Sequence, residues 1–305
     1  FAPYKHLIKL GAAQTLNLAN IQLEYSIAQL QDVEITGRIA QSYKSDYSFA
    51  GTKTQTAIKD IPQSVSSVTK ELIKDKMDLR LFDAVDDVAG VSRYSGYDEY
   101  TIRGFRAENP HLINGLRTFN TSLASPMLIN IERIEVIKGP TSVLYGNADP
   151  GGTINLVTKK PLSQKGFLLD IYKGSWENMR LQGDFTGPVN KNKKLLYRLN
   201  SGYENEQSFR DGFYAKSFQL APSFSFIPNE KIQLNLDVSV SHTNSVADRG
   251  QPGFEDKSDL LATPKSLMVT QPGDYLKETN IASILSLSYK LNSHLSFNSA
   301  YLNYI

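Results

Sequence analysis

The chain has 305 residues, 40% of them hydrophobic and 21% charged, with 33 basic residues against 31 acidic and a formal net charge of +2. That balance excludes a protein that neutralises many phosphates, so nucleic acid is not an expected partner. There is no cysteine, which removes disulfides, thiol catalysis and cysteine-held metals, and no stretch approaches the roughly 18–20 apolar residues of a spanning helix, so any membrane crossing must be made by alternating strands closed into a barrel.

The chain opens on Phe1 without a basic segment followed by an apolar core, and Leu295 to Ile305 still alternate as a strand where it stops; both ends are expected to be truncations. Residues 1–31, with Ile8, Leu10, Leu16, Leu18, Ile21 and Leu23, alternate weakly and read as the end of a small β domain. Residues 32–50 begin with the short alternating string Asp32-Val33-Glu34-Ile35-Thr36-Gly37 and continue as a polar, linker-like stretch.

Residues 51–161 read as a compact α+β unit. A strand is expected after Pro62 and a helix from Thr69, with Glu71 in its first turn. Leu81, Ala84, Val85 and Val88 have helical spacing, and Gly90 stands where a left-handed residue would end that helix. Tyr100–Phe105 and His111–Leu116 read as short strands with glycines at their breaks. Two longer alternating strands follow, Ile131–Lys138 and Gly152–Thr158, joined by a loop of glycines and a proline.

In residues 162–305 the texture becomes long two-residue alternation. Leu195, Tyr197, Leu199 and Tyr203 oppose Arg198, Asn200, Gly202 and Glu204; Phe218, Leu220, Phe224 and Phe226 oppose Gln219, Ser223 and Ser225; Leu234, Leu236, Val238 and Val240 oppose Asn235, Asp237, Ser239 and Ser241. One face is apolar and the other polar, in runs such as Ala215–Ile227 that exceed the usual ~5–6 residues of a globular strand. The connections are unequal, tight at Pro228-Asn229-Glu230 and long from Thr243 to about Lys277. Both features point to a transmembrane barrel, with room for roughly six to eight strands. The alternative is a soluble β-rich binding or adhesion module, whose strands also alternate.

Catalysis finds no support. Gly146-Asn147-Ala148-Asp149-Pro150-Gly151-Gly152-Thr153 lacks the lysine of a phosphate loop and precedes a strand rather than a helix. The four histidines are scattered without metal-ligand spacing, and no Gly-x-Ser-x-Gly elbow occurs. No enzyme, no resident cofactor and no metal site are expected.

The motifs TIRGF, LINGLR, ERIEVIKGPTSVLYGNADPGGTINLVTKKP, YRL, RDGF and DRGQP, in this order, resemble the TonB-dependent outer-membrane receptors, in their ferric-siderophore (hydroxamate, ferrichrome-type) branch. The resemblance implies an α+β plug over residues 51–161 seated in an antiparallel barrel of about 22 strands, of which residues 162–305 are the first part. It implies residence in the outer membrane of a Gram-negative cell, with the barrel in contact with lipid. QTLNLANIQLEYSIAQLQDVEITG resembles the exit of a carboxypeptidase-regulatory-like β domain, and Asp32, Val33, Glu34, Ile35 and Thr36 resemble a TonB box. The partner TonB, with ExbB and ExbD, would grip that box by strand addition, which needs only an extended, accessible peptide. By the same resemblance Arg93, Tyr94, Tyr97, Glu108, Asn109, Phe119 and Asn120 fall in the loops that meet the ferric siderophore, where Arg and Tyr suit hydroxamate oxygens; an ordinary solvated loop is the alternative for each. Gly104, Gly139, Gly151 and Gly152 are expected as scaffold for tight turns. Arg103, Arg133 and Lys138, with Glu132 and Glu135, are expected to lock the plug through ion pairs to its own strands or to the barrel wall. Haem, vitamin B12 and glycans are the competing cargoes.

Overall fold

The computed structural model describes residues 42–107, 111–118, 124–146, 149–248, 250, 263–271, 273–292 and 294–305. The segments read as a β domain (1–31) and a TonB box (Asp32–Thr36), and the loop residues Glu108, Asn109, Phe119 and Asn120, lie outside them.

The compact unit begins with β1 (Tyr47–Ser48), paired antiparallel with β2 (Thr56–Ala57). It continues through β3 (Ser64–Thr69), α1 (Lys70–Lys76), α2 (Leu81–Val85), β4 (Val91–Arg93), β5 (Tyr100–Ile102), β6 (Phe105–Ala107), β7 (Leu112–Ile113) and β8 (Leu116–Arg117). It closes with β9 (Ile131–Lys138), α3 (Ser142–Tyr145) and β10 (Gly152–Thr158). A five-stranded sheet runs β3-β9-β10-β7-β8, and β4-β5-β6 form a smaller one. β9 lies between β3 and β10, and Ile131, Ile134, Val136 and Ile137 are all buried instead of alternating, so packing covers both faces of this strand. Val68, Leu81, Val85, Tyr100, Ile102, Ile134 and Ile154 belong to one core cluster, each large apolar side chain contributing about 1.5–3 kcal/mol of transfer free energy.

Three local readings change. The strands expected at Tyr100–Phe105 and His111–Leu116 are hairpins, because Arg103 (φ 52°) with Gly104 (φ 82°), and Asn114 (φ 51°) with Gly115 (φ 76°), make two-residue turns with both φ values positive. The second helix ends at Val85, five residues before the expected left-handed stop; Gly90 (φ 79°) instead turns the chain into β4. The glycine-rich connection between β9 and β10 contains the turn of helix α3. The helix expected from Thr69 is present as α1 and ends at left-handed Met77.

Seven strands form the second sheet in sequential antiparallel order: β11 (Gly166–Lys173), β12 (Met179–Pro188), β13 (Leu195–Gln207), β14 (Tyr214–Asn229), β15 (Ile232–Ser245), β16 (Leu276–Lys290) and β17 (Ser296–Tyr304). The tight turn falls at residues 230–231 and the long connection at 246–275, so one end of the sheet carries short turns and the other the long loop. No helix among the described residues is long and apolar enough to cross a membrane.

The sheet buries its polar face. Along β13, Arg198, Asn200 and Glu204 are buried against the compact unit, while Tyr203 is exposed; along β14, Ser217, Gln219, Ser223 and Ser225 are buried and Phe218, Leu220, Phe224 and Phe226 are exposed. Phe167 is 82% and Ile171 67% exposed. A soluble module would bury the apolar face, so that alternative fails, and the alternation, polar inside and apolar outside, is that of a barrel wall.

Candidate functional site

The seam between the compact unit and the sheet is built from ions. Arg80 heads α2, where Asp83 caps the helix by accepting the backbone N–H groups of Leu79 (3.2 Å) and Arg80 (3.0 Å). Its guanidinium crosses to the wall, donating to Glu204 and lying 3.6 Å from Glu206. Arg180 of β12 donates to Glu204 Oε1 (2.9 Å) and returns to the carbonyl of Leu79 (2.8 Å). Two guanidiniums thus share a carboxylate whose side chain is 1% exposed, an arrangement in which loss of either partner leaves a buried charge uncompensated. Burial raises the Asp83 carboxyl above its ordinary range even though the two backbone donors pull the other way.

A second knot lies where the chain leaves β10. Lys159 Nζ reaches Asp184 (3.1 Å) and the carbonyl of Ile129 (2.7 Å), and Arg198 grips Asp184 through two 2.8 Å bonds while also donating to the carbonyl of Lys160 (2.8 Å). Burial lowers the Lys159 ammonium from its usual range, with Asp184 opposing. Lys160 bonds Asp237 of β15 at 2.5 Å, and Lys74 of α1 lies 3.2 Å from Asp170 of β11.

The ions expected to lock the plug do so differently. Arg133 pairs with Glu135 (2.8 Å), and Lys70 takes Glu132 (2.8 Å). Glu135, 0% exposed, also accepts the Ser48 hydroxyl (3.0 Å), the Ala50 N–H (3.4 Å) and the Asn155 amide (3.2 Å), so it clasps the segment 48–50 onto the sheet. Tyr145 donates to the carbonyl of Ala50 (2.8 Å). Arg103 and Lys138 do not head ion pairs to the wall among the described residues: they are neighbours, and burial first, the Arg103 charge second, lowers the Lys138 ammonium. The residues that do reach the wall, Lys74, Arg80, Lys159 and Lys160, were not singled out from sequence.

The glycines act as close-approach scaffold. A Cβ on Gly151 would sit 2.1 Å from the Ile102 carbonyl oxygen, and one on Gly152 (φ 148°) 2.3 Å from that of Ile137. Gly139 (φ 104°) turns the chain out of β9, and Gly104 completes the β5–β6 turn.

The described candidate ligand residues lie at the last residue of β4 (Arg93) and in the loop after it (Tyr94, Tyr97), at the end of the molecule that carries the long connection. Arg93 is turned into that loop, donating to the carbonyls of Ser95 (2.7 Å) and Gly96 (3.0 Å) and stacking over Phe82 at 4.1 Å. Tyr94 is exposed under the Arg106 guanidinium (4.7 Å). Tyr97 lines a cleft with Arg93, Ser95, Gly96, Arg210, Asp248 and Gly250, and Arg210 lies 3.3 Å from Asp248. Arg210 and Asp248 open the motifs RDGF and DRGQP. Tyr97 also borders a second cavity, about 530 Å³, between the compact unit and β14–β16. At its rim Asp98 binds His111 (2.8 Å) and the Tyr100 hydroxyl (2.5 Å), and burial raises the Tyr100 phenol well above its usual range. Among the described residues no group of His, Asp and Glu is arranged to hold a metal ion.

Known proteins resemble this arrangement. Residues 57–153 match the TonB-dependent Receptor Plug Domain. The metal-pseudopaline receptor of Pseudomonas aeruginosa UCBPP-PA14 is 34% identical over 265 residues, 85% of this chain and 37% of that protein. The ferrichrome outer membrane transporter/phage receptor of Escherichia coli K12 is 31% identical over 196 residues, 60% of this chain and 26% of that protein. Among solved structures, P. aeruginosa FpvA bound to heterologous pyoverdines superposes with a TM-score of 0.77 at 21% identity, covering 83% of this chain and 35% of that one. The chain thus spans about a quarter to a little over a third of the length of these curated relatives.

Proposed function

The chain belongs to the TonB-dependent receptors, and on that footing we propose that the full-length protein lies in the outer membrane of a Gram-negative cell and imports a ferric siderophore. The metal travels as cargo inside its chelate. Residues 51–161, together with the preceding β1, act as the plug that gates the lumen and residues 162–305 as the first barrel strands; Asp32–Thr36 serve as the box gripped by TonB, energised through ExbB and ExbD. The carrying observation is the inverted sheet: polar side chains pack on the plug and aromatic ones face outward, which is stable only when the exterior meets lipid. The end with the long 246–275 connection is then the cell exterior, and it bears the Arg93–Tyr97 loop and Arg210. Arg, Tyr and backbone groups there supply donors to the oxygens of a chelate, together with Glu108, Asn109, Phe119 and Asn120 of the neighbouring loops.

The test is uptake of radiolabelled metal by cells that carry the complete receptor as their sole transporter of this class. Hydroxamate and catecholate iron complexes, a pseudopaline-type metal complex, haem, vitamin B12 and glycans are offered separately. Iron-siderophore uptake that is lost on deleting residues 32–36, with surface binding retained, is the expected result. Recovery of the protein in soluble form without detergent, or uptake of another cargo alone, overturns the reading. A pseudopaline-type cargo is the second reading, favoured by the 34% identity over 85% of the chain to the receptor of that name.

A further inference from the structure

The plug is not held evenly by the wall. Against β12 and β13 the inner face presents Arg180, Arg198 and Glu204, long charged side chains that are buried and bonded to the plug. Against β14–β16 it presents Ser239, Ser241, Thr243 and Asn280, and there the plug stands off to leave the 530 Å³ cavity, bounded on the plug side by Tyr97, His111, Thr118 and Thr158. From Thr243 to Asp237 this lining descends six residues, about 20 Å at strand rise.

The lower end is closed by a weaker contact than those on the other side. Asp184 is held by Lys159 and by both arms of Arg198, whereas Asp237 receives Lys160 on Oδ2 alone; its Oδ1 is buried and bonded to no group among the described residues. On the wall side these small hydroxyls and the amide lie between Glu278 at the outer end and Asp237 at the inner one, facing Asp98, Glu99, Arg106 and Lys159 across the cavity; the neutral donors and acceptors of the middle stretch give the weak, repeated contacts that let a polar solute move on instead of stopping.

We infer that the sector between the plug and β14–β16 is a preformed half-channel for the polar cargo, entered beside Tyr97 and gated at its inner end by the Lys160–Asp237 pair. The inference rests on the receptor reading above and adds to it the route and the gate.

Because residues 1–305 hold no cysteine, single cysteines placed among them report the route directly in a receptor whose cysteines outside this stretch, where present, are replaced by serine. In the complete receptor in intact cells, S239C and S241C are expected to react with a charged, membrane-impermeant thiosulfonate added outside, while N235C, one inward-facing position beyond the gate, is protected. D237N and, independently, K160Q are each expected to abolish the protection of N235C. Heat-modifiable migration checks that every variant has assembled, and the two gate variants cover for one another if one does not. Protection of S239C and S241C overturns the route. Labelling of N235C with the pair intact, or its continued protection in the assembled gate variant, overturns the gate. Labelling needs no siderophore, so a receptor that carries another cargo would still give the expected pattern, and the two readings fail separately.

Discussion

Gly152 has an extended but positive φ of 148° and a backbone carbonyl where its Cβ would be. Gly152→Ala therefore cannot relax by moving a side chain, and it is expected to destabilise the plug by more than about 2 kcal/mol, seen as faster proteolysis within residues 51–161 of the assembled receptor. Glu135 presents the opposite case, a buried charge made tolerable by four partners. Glu135→Ala leaves Ser48, Asn155 and Arg133 without their acceptor and should cost about 3–5 kcal/mol. Glu135→Gln keeps one carbonyl oxygen and should cost less; limited proteolysis near residues 42–51 distinguishes the two variants, with cleavage of the Ala variant the faster. The glycines were readable as scaffold because a missing side chain has few uses. Their reason was not readable: the carbonyl that excludes a Cβ at Gly151 belongs to Ile102, far away in sequence. Arg103 and Lys138 were read as ion-pair residues from charge alone, and charge carries no direction; folding set them side by side.

At the scale of elements, hydrophobic period decided most of the outcome. The alternating runs at 195–204, 215–227 and 232–241 lie inside strands of 13, 16 and 14 residues, β13, β14 and β15, because a two-residue period has no helical counterpart. Phe224 of β14 faces outward, so Phe224→Arg places a charge at hydrocarbon depth. It should lower the stability of the membrane-inserted barrel by roughly 2–4 kcal/mol if the residue lies near the midplane, measured as a shift in the denaturant midpoint for refolding into vesicles. Short elements were harder to read. The β5–β6 and β7–β8 hairpins have strands of two or three residues, too few for a period to register, and the positive φ of Arg103 and Asn114 depends on the strands they connect as much as on the following glycine. The second helix overran for a related reason: Val88 has helical spacing but is buried from a turn beyond the helix end.

Across the whole molecule, the plug is tied to one side of the wall and stands clear of the other. Arg80 and Glu204, 124 residues apart, join the N-terminus of α2 to β13. In a cycle of Arg80→Met, Glu204→Gln and the double variant, each single change should be strongly destabilising and the pair less than additive, with a coupling of about 1–3 kcal/mol. The measurement is the urea midpoint for loss of plug protection in detergent-solubilised receptor, and simple additivity would show that the two side chains act separately.

Alternation, glycine breaks, absence of cysteine and near-neutral charge were enough to establish strands, turns, an α+β unit ahead of a long-stranded sheet, and a family resemblance that the plug match supports. Those properties are local, written in the spacing of neighbouring residues. Which face of the sheet turned inward, which cations met which carboxylates and where the plug stood away from the wall emerged only on folding. A two-residue period reads the same with either face inside, and an ion pair formed across a hundred residues is chosen by the geometry that brings its partners together.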